Sequence, residues 1–201
     1  MPTRAWSGRP MVADRPPIVR DLIPFPGHRV AEMRAYARRH HGIDSALLTH
    51  PRVIVEHFTA IDSYSARFDT FASDTRDPEL GELPGTCAHF VIDRRGRIHQ
   101  LVRLRYMRRH TVGLNDTAIG IEHVALSGAQ VMGDHRELRS SLRLTRWLMG
   151  RYGIARRNVI GHAESLSGPF HRERVARLRR QTHADMGHAP MTRYRRLLRT
   201  G

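Results

Sequence analysis

The sequence predicts an α/β (α+β) fold, a single domain built on a central mixed β-sheet flanked by helices. Three observations lead there. Short runs of β-branched and apolar residues recur along the chain, and stretches of helical period lie between them. The 201 residues, 40 % of them hydrophobic, suffice for one buried core.

Residues 1–27 carry Pro16-Pro17, Pro24 and Pro26-Gly27 among several arginines, and read as an extended N-terminal arm ahead of a domain spanning 28–201. From His28 to about His40, Val30, Met33 and Ala37 recur at three- and four-residue spacing, the period of a helix that Gly42 is placed to end. Arg52 to Thr59 (RVIVEHFT) reads as a buried strand. Residues 61–86 are rich in turn formers and read as loop with a short helix. Cys87 to Val102 reads as a β-hairpin turning at Arg95-Gly96, where glycine takes a positive φ at little cost. Ala118 to Leu126 is a further strand.

Asp134 is placed as the N-cap of a helix, with Glu137 completing a capping box. Leu138, Leu142, Trp147 and Leu148 give that helix an apolar face, and it ends near Tyr152-Gly153. Asn158 to Gly161 is a short strand that delivers His162, and residues 172–180 and 190–199 read as helices.

The formal net charge is +15, and every one of the 34 basic residues is arginine. Such a charge favours a polyanionic partner: nucleic acid, an anionic membrane or an anionic cell wall. The arginines are scattered rather than interleaved with aromatics, so no nucleic-acid module is expected. No run approaches the ~18 apolar residues of a membrane span. Cys87 is the one cysteine, which excludes an internal disulfide and a multi-cysteine zinc site. Residues 1–26 show no apolar core of a signal peptide.

With 14 histidines in the chain, placement matters more than presence. His57 and His162 each stand at the end of a strand, where two imidazoles can converge on one metal or can simply hydrogen-bond to backbone. Glu122 lies within the apolar run Ile119-Gly120-Ile121-Glu122. A carboxylate there either pairs with an arginine, serves as a general base, or faces outward.

Four ordered runs resemble the amidase type 2 family, the N-acetylmuramoyl-L-alanine amidases whose fold is shared with peptidoglycan recognition proteins. They are His57-Phe58-Thr59-Ala60, Ala88 to Gly96 (AHFVIDRRG), Asn115-Asp116 with Ile119 to Glu122, and Tyr152-Gly153-Ile154 with Ile160-Gly161-His162. They span roughly 52–165, with the motif-bearing core reaching about 185.

The resemblance implies one Zn²⁺ per chain, held by His57 and His162, with Glu122 as catalytic glutamate. It places His110 and Asn115 along the substrate groove. The family's third ligand, an aspartate or cysteine eight to ten residues after the second histidine, is missing: Phe170 and Arg172 stand there. A helical insertion from Pro169 to Gln181 makes Thr182-His183-Ala184-Asp185 the matching run, with Asp185 as ligand and His183 as the cation facing the oxyanion. His183 itself or His171 are the other possible ligands.

The expected activity is hydrolysis of the amide between N-acetylmuramic acid and the L-alanine of the stem peptide. The expected partners are peptidoglycan or muropeptides and anionic wall polymers, acted on by a monomer at the wall outside the membrane, with a cytoplasmic recycling role as the alternative. A non-catalytic peptidoglycan-binding module on the same fold and, on charge alone, a basic nucleic-acid-binding protein are the alternatives.

Overall fold

The computed structural model describes residues 13–199. Six strands form one mixed sheet: β1 (Ile18–Arg20), β2 (Val53–Phe58), β3 (Phe90–Ile92), β4 (Ile98–Gln100), β5 (Ala118–His123) and β6 (Val159–Gly161). Their spatial order is β1-β4-β3-β5-β2-β6. Only the β3–β4 hairpin is antiparallel; the other neighbours run parallel. The helices are α1 (Gly27–His41), α2 (Tyr64–Ala72), α3 (Gly128–Gly133), α4 (His135–Tyr152) and α5 (His188–Leu197).

The central strands β2 and β5 are buried on both faces, which accounts for their unbroken apolar sequence. Side chains alternate along them. Ile54, Ile119 and Ile121 join Leu144 and Trp147 of α4 and Met191 and Tyr194 of α5 in the main core. Val53, Val55 and Ala118 pack on the opposite face with Leu114 and Ile160. Each buried side chain of this size contributes ~1.5–3 kcal/mol.

Several expected boundaries are met closely: α1 and α4 end at Gly42 and Gly153, both left-handed, and the hairpin turns at Gly96. Others differ. Within the expected arm, residues 18–20 form an edge strand paired with β4; residues 1–12 lie outside the described residues. Asp134 caps α4 by accepting from the Arg136 and Glu137 amides, but Glu137 makes no capping box. Its side chain turns inward, fully buried, 3.5 Å from His123.

The helix expected over 172–180 is absent. Only a 3₁₀ turn at Ala176–Leu178 forms, because the backbone is tethered elsewhere: the Arg172 amide donates to Gly113 and the Arg174 amide to His40. Between them the Glu173 carboxylate is buried 2.9 Å from His40 Nδ1. These long-range bonds satisfy donors that a helix would otherwise need.

Candidate metal centre and catalytic pocket

His57 and Glu122 stand opposite each other in the β2–β5 register. Both therefore leave the face of the sheet not covered by α4 and α5. On the other side of β2, Gly161 of β6 lies opposite Glu56, so His162, the next residue, leaves the strand end beside His57. The two imidazole centroids are 4.7 Å apart.

Asp185 completes the group from a distant loop. The Ala163 amide donates to the Asp185 carbonyl at 3.0 Å, and Met186, buried with φ 50°, folds across Gly161. A Cβ on Gly161 would stand 1.6 Å from the Met186 carbonyl oxygen, so only glycine admits this crossing. The Asp185 carboxylate then bridges the histidines, with Oδ2 3.0 Å from His57 Nδ1 and Oδ1 3.1 Å from His162 Nδ1. One ligand atom from each of the three lies within 4.8 Å of the others.

Electrostatics tie the trio together. Burial opposes ionisation of Asp185, yet hydrogen bonds and charge from His162 and His57 outweigh it and hold its carboxyl far below the usual range. Burial pushes His162 down to about 4 despite Asp185. His57 is also penalised by burial, but Asp185, with Glu122 and Glu56 beyond it, raises its pKa. Two imidazoles and one carboxylate form a donor set suited to zinc, which takes three protein ligands and leaves one position open.

Glu122 is 9 % exposed, and its Oε2 has no hydrogen-bond partner. Burial raises its pKa, with His57 and Arg67 working against that. An unpaired buried carboxylate is costly to keep, and its burial rules out an outward-facing strand residue.

His110 stands against the His57-His162-Asp185 trio: its Nδ1 is 3.2 Å from His57 Nε2, and its Nε2 reaches the Ala118 carbonyl at 3.4 Å. Burial and the neighbouring His57, His89 and His162 keep it neutral, its pKa well below the ordinary value. Gly120 makes the room, since a Cβ there would meet the His110 ring at 2.7 Å. Asn115 acts through backbone: its Oδ1 accepts from the His110 and Thr111 amides at 2.9 Å, and its Nδ2 donates to the Tyr36 hydroxyl at 3.0 Å.

His183 sits at the rim, half exposed, its Nε2 3.0 Å from Glu79 and its ring 4.9 Å from that of His162. His171 lies apart, packed against Gly113. His57, Glu122, His162, His110, His183 and Asp185 all line one pocket of about 410 Å³. Its wall also carries Arg67 and Phe71 of α2 and the buried Arg109, which sequence reasoning missed. A basic residue within an apolar-periodic helix was the available signal for Arg67.

The family model described as N-acetylmuramoyl-L-alanine amidase matches residues 47–187. No curated protein matches the chain by sequence. Among solved structures, the chain is similar to the endolysin N-acetylmuramoyl-L-alanine amidase LysCS from Clostridium intestinale, at TM-score 0.60 and 19 % identity over 94 % of this chain and 99 % of that one. It is also similar to the N-acetylmuramoyl-L-alanine amidase LysC from the same organism, at TM-score 0.59 and 20 % identity over 93 % and 100 %. At such identities the likeness is one of fold.

Proposed function

Because the chain belongs to the N-acetylmuramoyl-L-alanine amidase family, hydrolases of the bond between N-acetylmuramic acid and L-alanine in peptidoglycan, we propose that it does so with zinc held by His57, His162 and Asp185. The observation that carries this reading is the Asp185 carboxylate clasped by both histidine Nδ1 atoms, with unpaired Glu122 in the same pocket. With Asp185 as third ligand, the position that the usual offset leaves vacant would be filled, which argues against a purely binding module.

Bound zinc would supply Lewis-acid polarisation of the lactyl carbonyl and acidify a water for attack. Glu122 accepts the proton of the attacking water, and passes it to the alanine nitrogen as the C–N bond breaks. Its raised pKa suits a group that must hold that proton between the two steps. His183, at the rim, donates toward the oxygen on which charge develops.

His110 serves as a positioning residue. For His57 to present a bare Nδ1, its proton must lie on Nε2, and neutral His110 Nδ1 accepts there while its own Nε2–H points to the Ala118 carbonyl. Asn115 holds the His110 backbone and so acts one step further back.

The wall is the proposed place of action, and no helix among the described residues is long and apolar enough to cross a membrane. The test is direct: incubate the zinc-loaded chain with purified muropeptide and look for free N-terminal L-alanine. Release that disappears with chelation and returns with zinc supports the proposal; peptidoglycan binding without release, in a chain holding zinc, overturns it.

A further inference from the structure

A second surface, sharing no residue with the catalytic pocket, concentrates unpaired positive charge. Arg15 from the N-terminal segment, Arg103 and Arg105 after β4, and Arg151 in the last turn of α4 line one groove of about 590 Å³. A smaller hollow of about 330 Å³ shares Arg103 and Arg105 and continues the groove toward Phe25. No Asp or Glu lines either hollow, and none of the four arginines has a carboxylate at salt-bridge distance among the described residues.

Several arginines elsewhere are paired with carboxylates, although others, exposed Arg177, Arg180 and Arg193 among them, have none at salt-bridge distance among the described residues. Arg34 and Arg38 converge on Asp44, Arg94 spans Asp62 and Asp134, and Arg195 pairs with Glu164. In the groove the guanidiniums lean on aromatic rings instead. Arg15 and Arg151 each lie 5.7 Å from the Trp147 ring centroid, and Arg105 lies 4.9 Å from that of Tyr106. Arg139 and Arg143 stand at four-residue steps ahead of Trp147 on α4, both exposed, and lengthen the basic track.

We infer that this groove docks a linear phosphodiester-linked polyanion of the cell wall, holding the enzyme beside its substrate. Guanidinium forks match phosphate oxygens in bidentate geometry. The positive groups come from three separate segments lining one groove, which suits a chain carrying several charges better than a single small anion. Place of action favours a wall polymer over nucleic acid, and here the inference rests on the amidase reading.

The experiment uses the zinc-loaded full chain and purified poly(glycerol phosphate) as probe, with single-stranded DNA of matched charge for comparison. The groove variant is Arg103→Gln/Arg105→Gln/Arg151→Gln. The control removes the same charge from exposed sites elsewhere: Arg177→Gln/Arg180→Gln/Arg193→Gln. The groove variant should lose affinity on the order of a hundredfold at low salt, with the salt dependence shallower by roughly three charges.

The control should stay within about twofold of the parent chain, and DNA should bind more weakly than the wall polymer at equal salt. Equal losses in the two variants would mean general charge attraction and would overturn the proposal. Tighter binding of DNA would overturn it in favour of a nucleic-acid partner. Cleavage of a small soluble muropeptide should be unchanged in the groove variant, so failure of the amidase reading appears separately from failure of the groove.

Discussion

His57 and Glu122 lie opposite one another across the β2–β5 ladder, so a metal ligand and a proton acceptor share one face at adjacent strands. The sheet register alone sets their spacing, and no loop has to close to bring them together.

Glu122→Gln should keep zinc and lose turnover by ~10²–10⁴-fold, the usual worth of a positioned general base. Because Oε2 has no partner in the folded chain, removing its charge should leave the melting temperature unchanged or higher. Hydrolysis rates and thermal unfolding of the same preparation check both halves. Full activity in the variant would remove Glu122 from the mechanism.

Zinc content should separate the candidate ligands. His57→Ala, His162→Ala and Asp185→Ala should each drop below one zinc per chain by elemental analysis, whereas His171→Ala, packed against Gly113, should retain it. His183→Ala should retain zinc and lower kcat, in keeping with its place at the rim. Loss of zinc from the His171 variant with retention in the Asp185 variant would reassign the third ligand.

Gly161→Ala should be disproportionately harmful for one methyl group. Its Cβ would fall 1.6 Å from the Met186 carbonyl, so the segment carrying Asp185 must shift. A destabilisation of about 3 kcal/mol, at the upper end for overpacking, is expected from denaturant titration, together with weaker zinc retention. An unshifted denaturation midpoint would show that the crossing at 161 and 186 is looser than described.

Stability should fall on the alkaline side. Burial disfavours charged His123, but Glu137 and Glu56 outweigh that and raise its pKa to about 9 from 6.5. The groups packed around it are Glu56 on β2, Glu137, Ser141 and Thr145 on α4, and Tyr194 on α5. A raised folded-state pKa means the contribution is whole below pH 6.5 and is lost as pH climbs through about 9. The melting temperature should decline across that window, and His123→Gln should flatten the decline; a wild-type curve that rises there would contradict the assignment.

Where a structure depends on local chemistry, the residues announce it. Gly42, Gly96, Gly153 and Asp134 stand at the helix ends and the hairpin turn, and the β-branched runs become β2 and β5. His57, His162 and Glu122 stand in or just after strands that the sequence displays, but their placement left other roles open, and it was the resemblance of four ordered runs to the amidase type 2 family that joined them into one site.

What was hidden is non-local. β1 is three residues long and exists through its pairing with β4. The helical look of 172–180 lost to backbone bonds with Gly113 and His40. The meaning of Gly120 and Gly161 is a neighbour's side chain and a neighbour's carbonyl, neither of which sequence spacing reveals. Likewise Glu137 had the position of a capping residue, and its partner turned out to be His123 on another strand.

The two faces of β2 and β5 carry equally polar but unrelated cargo. His57 and Glu122 project to one side; one step away, Glu56 and His123 project to the other, into the buried cluster under α4 and α5. In a mutational screen scored by lysis or colony clearing, neutralising Glu56 and neutralising Glu122 will give the same blank result from opposite causes, a chain that does not fold and a folded chain that does not turn over. Adding a measure of soluble protein per cell would sort alternate positions along a single strand into the two classes.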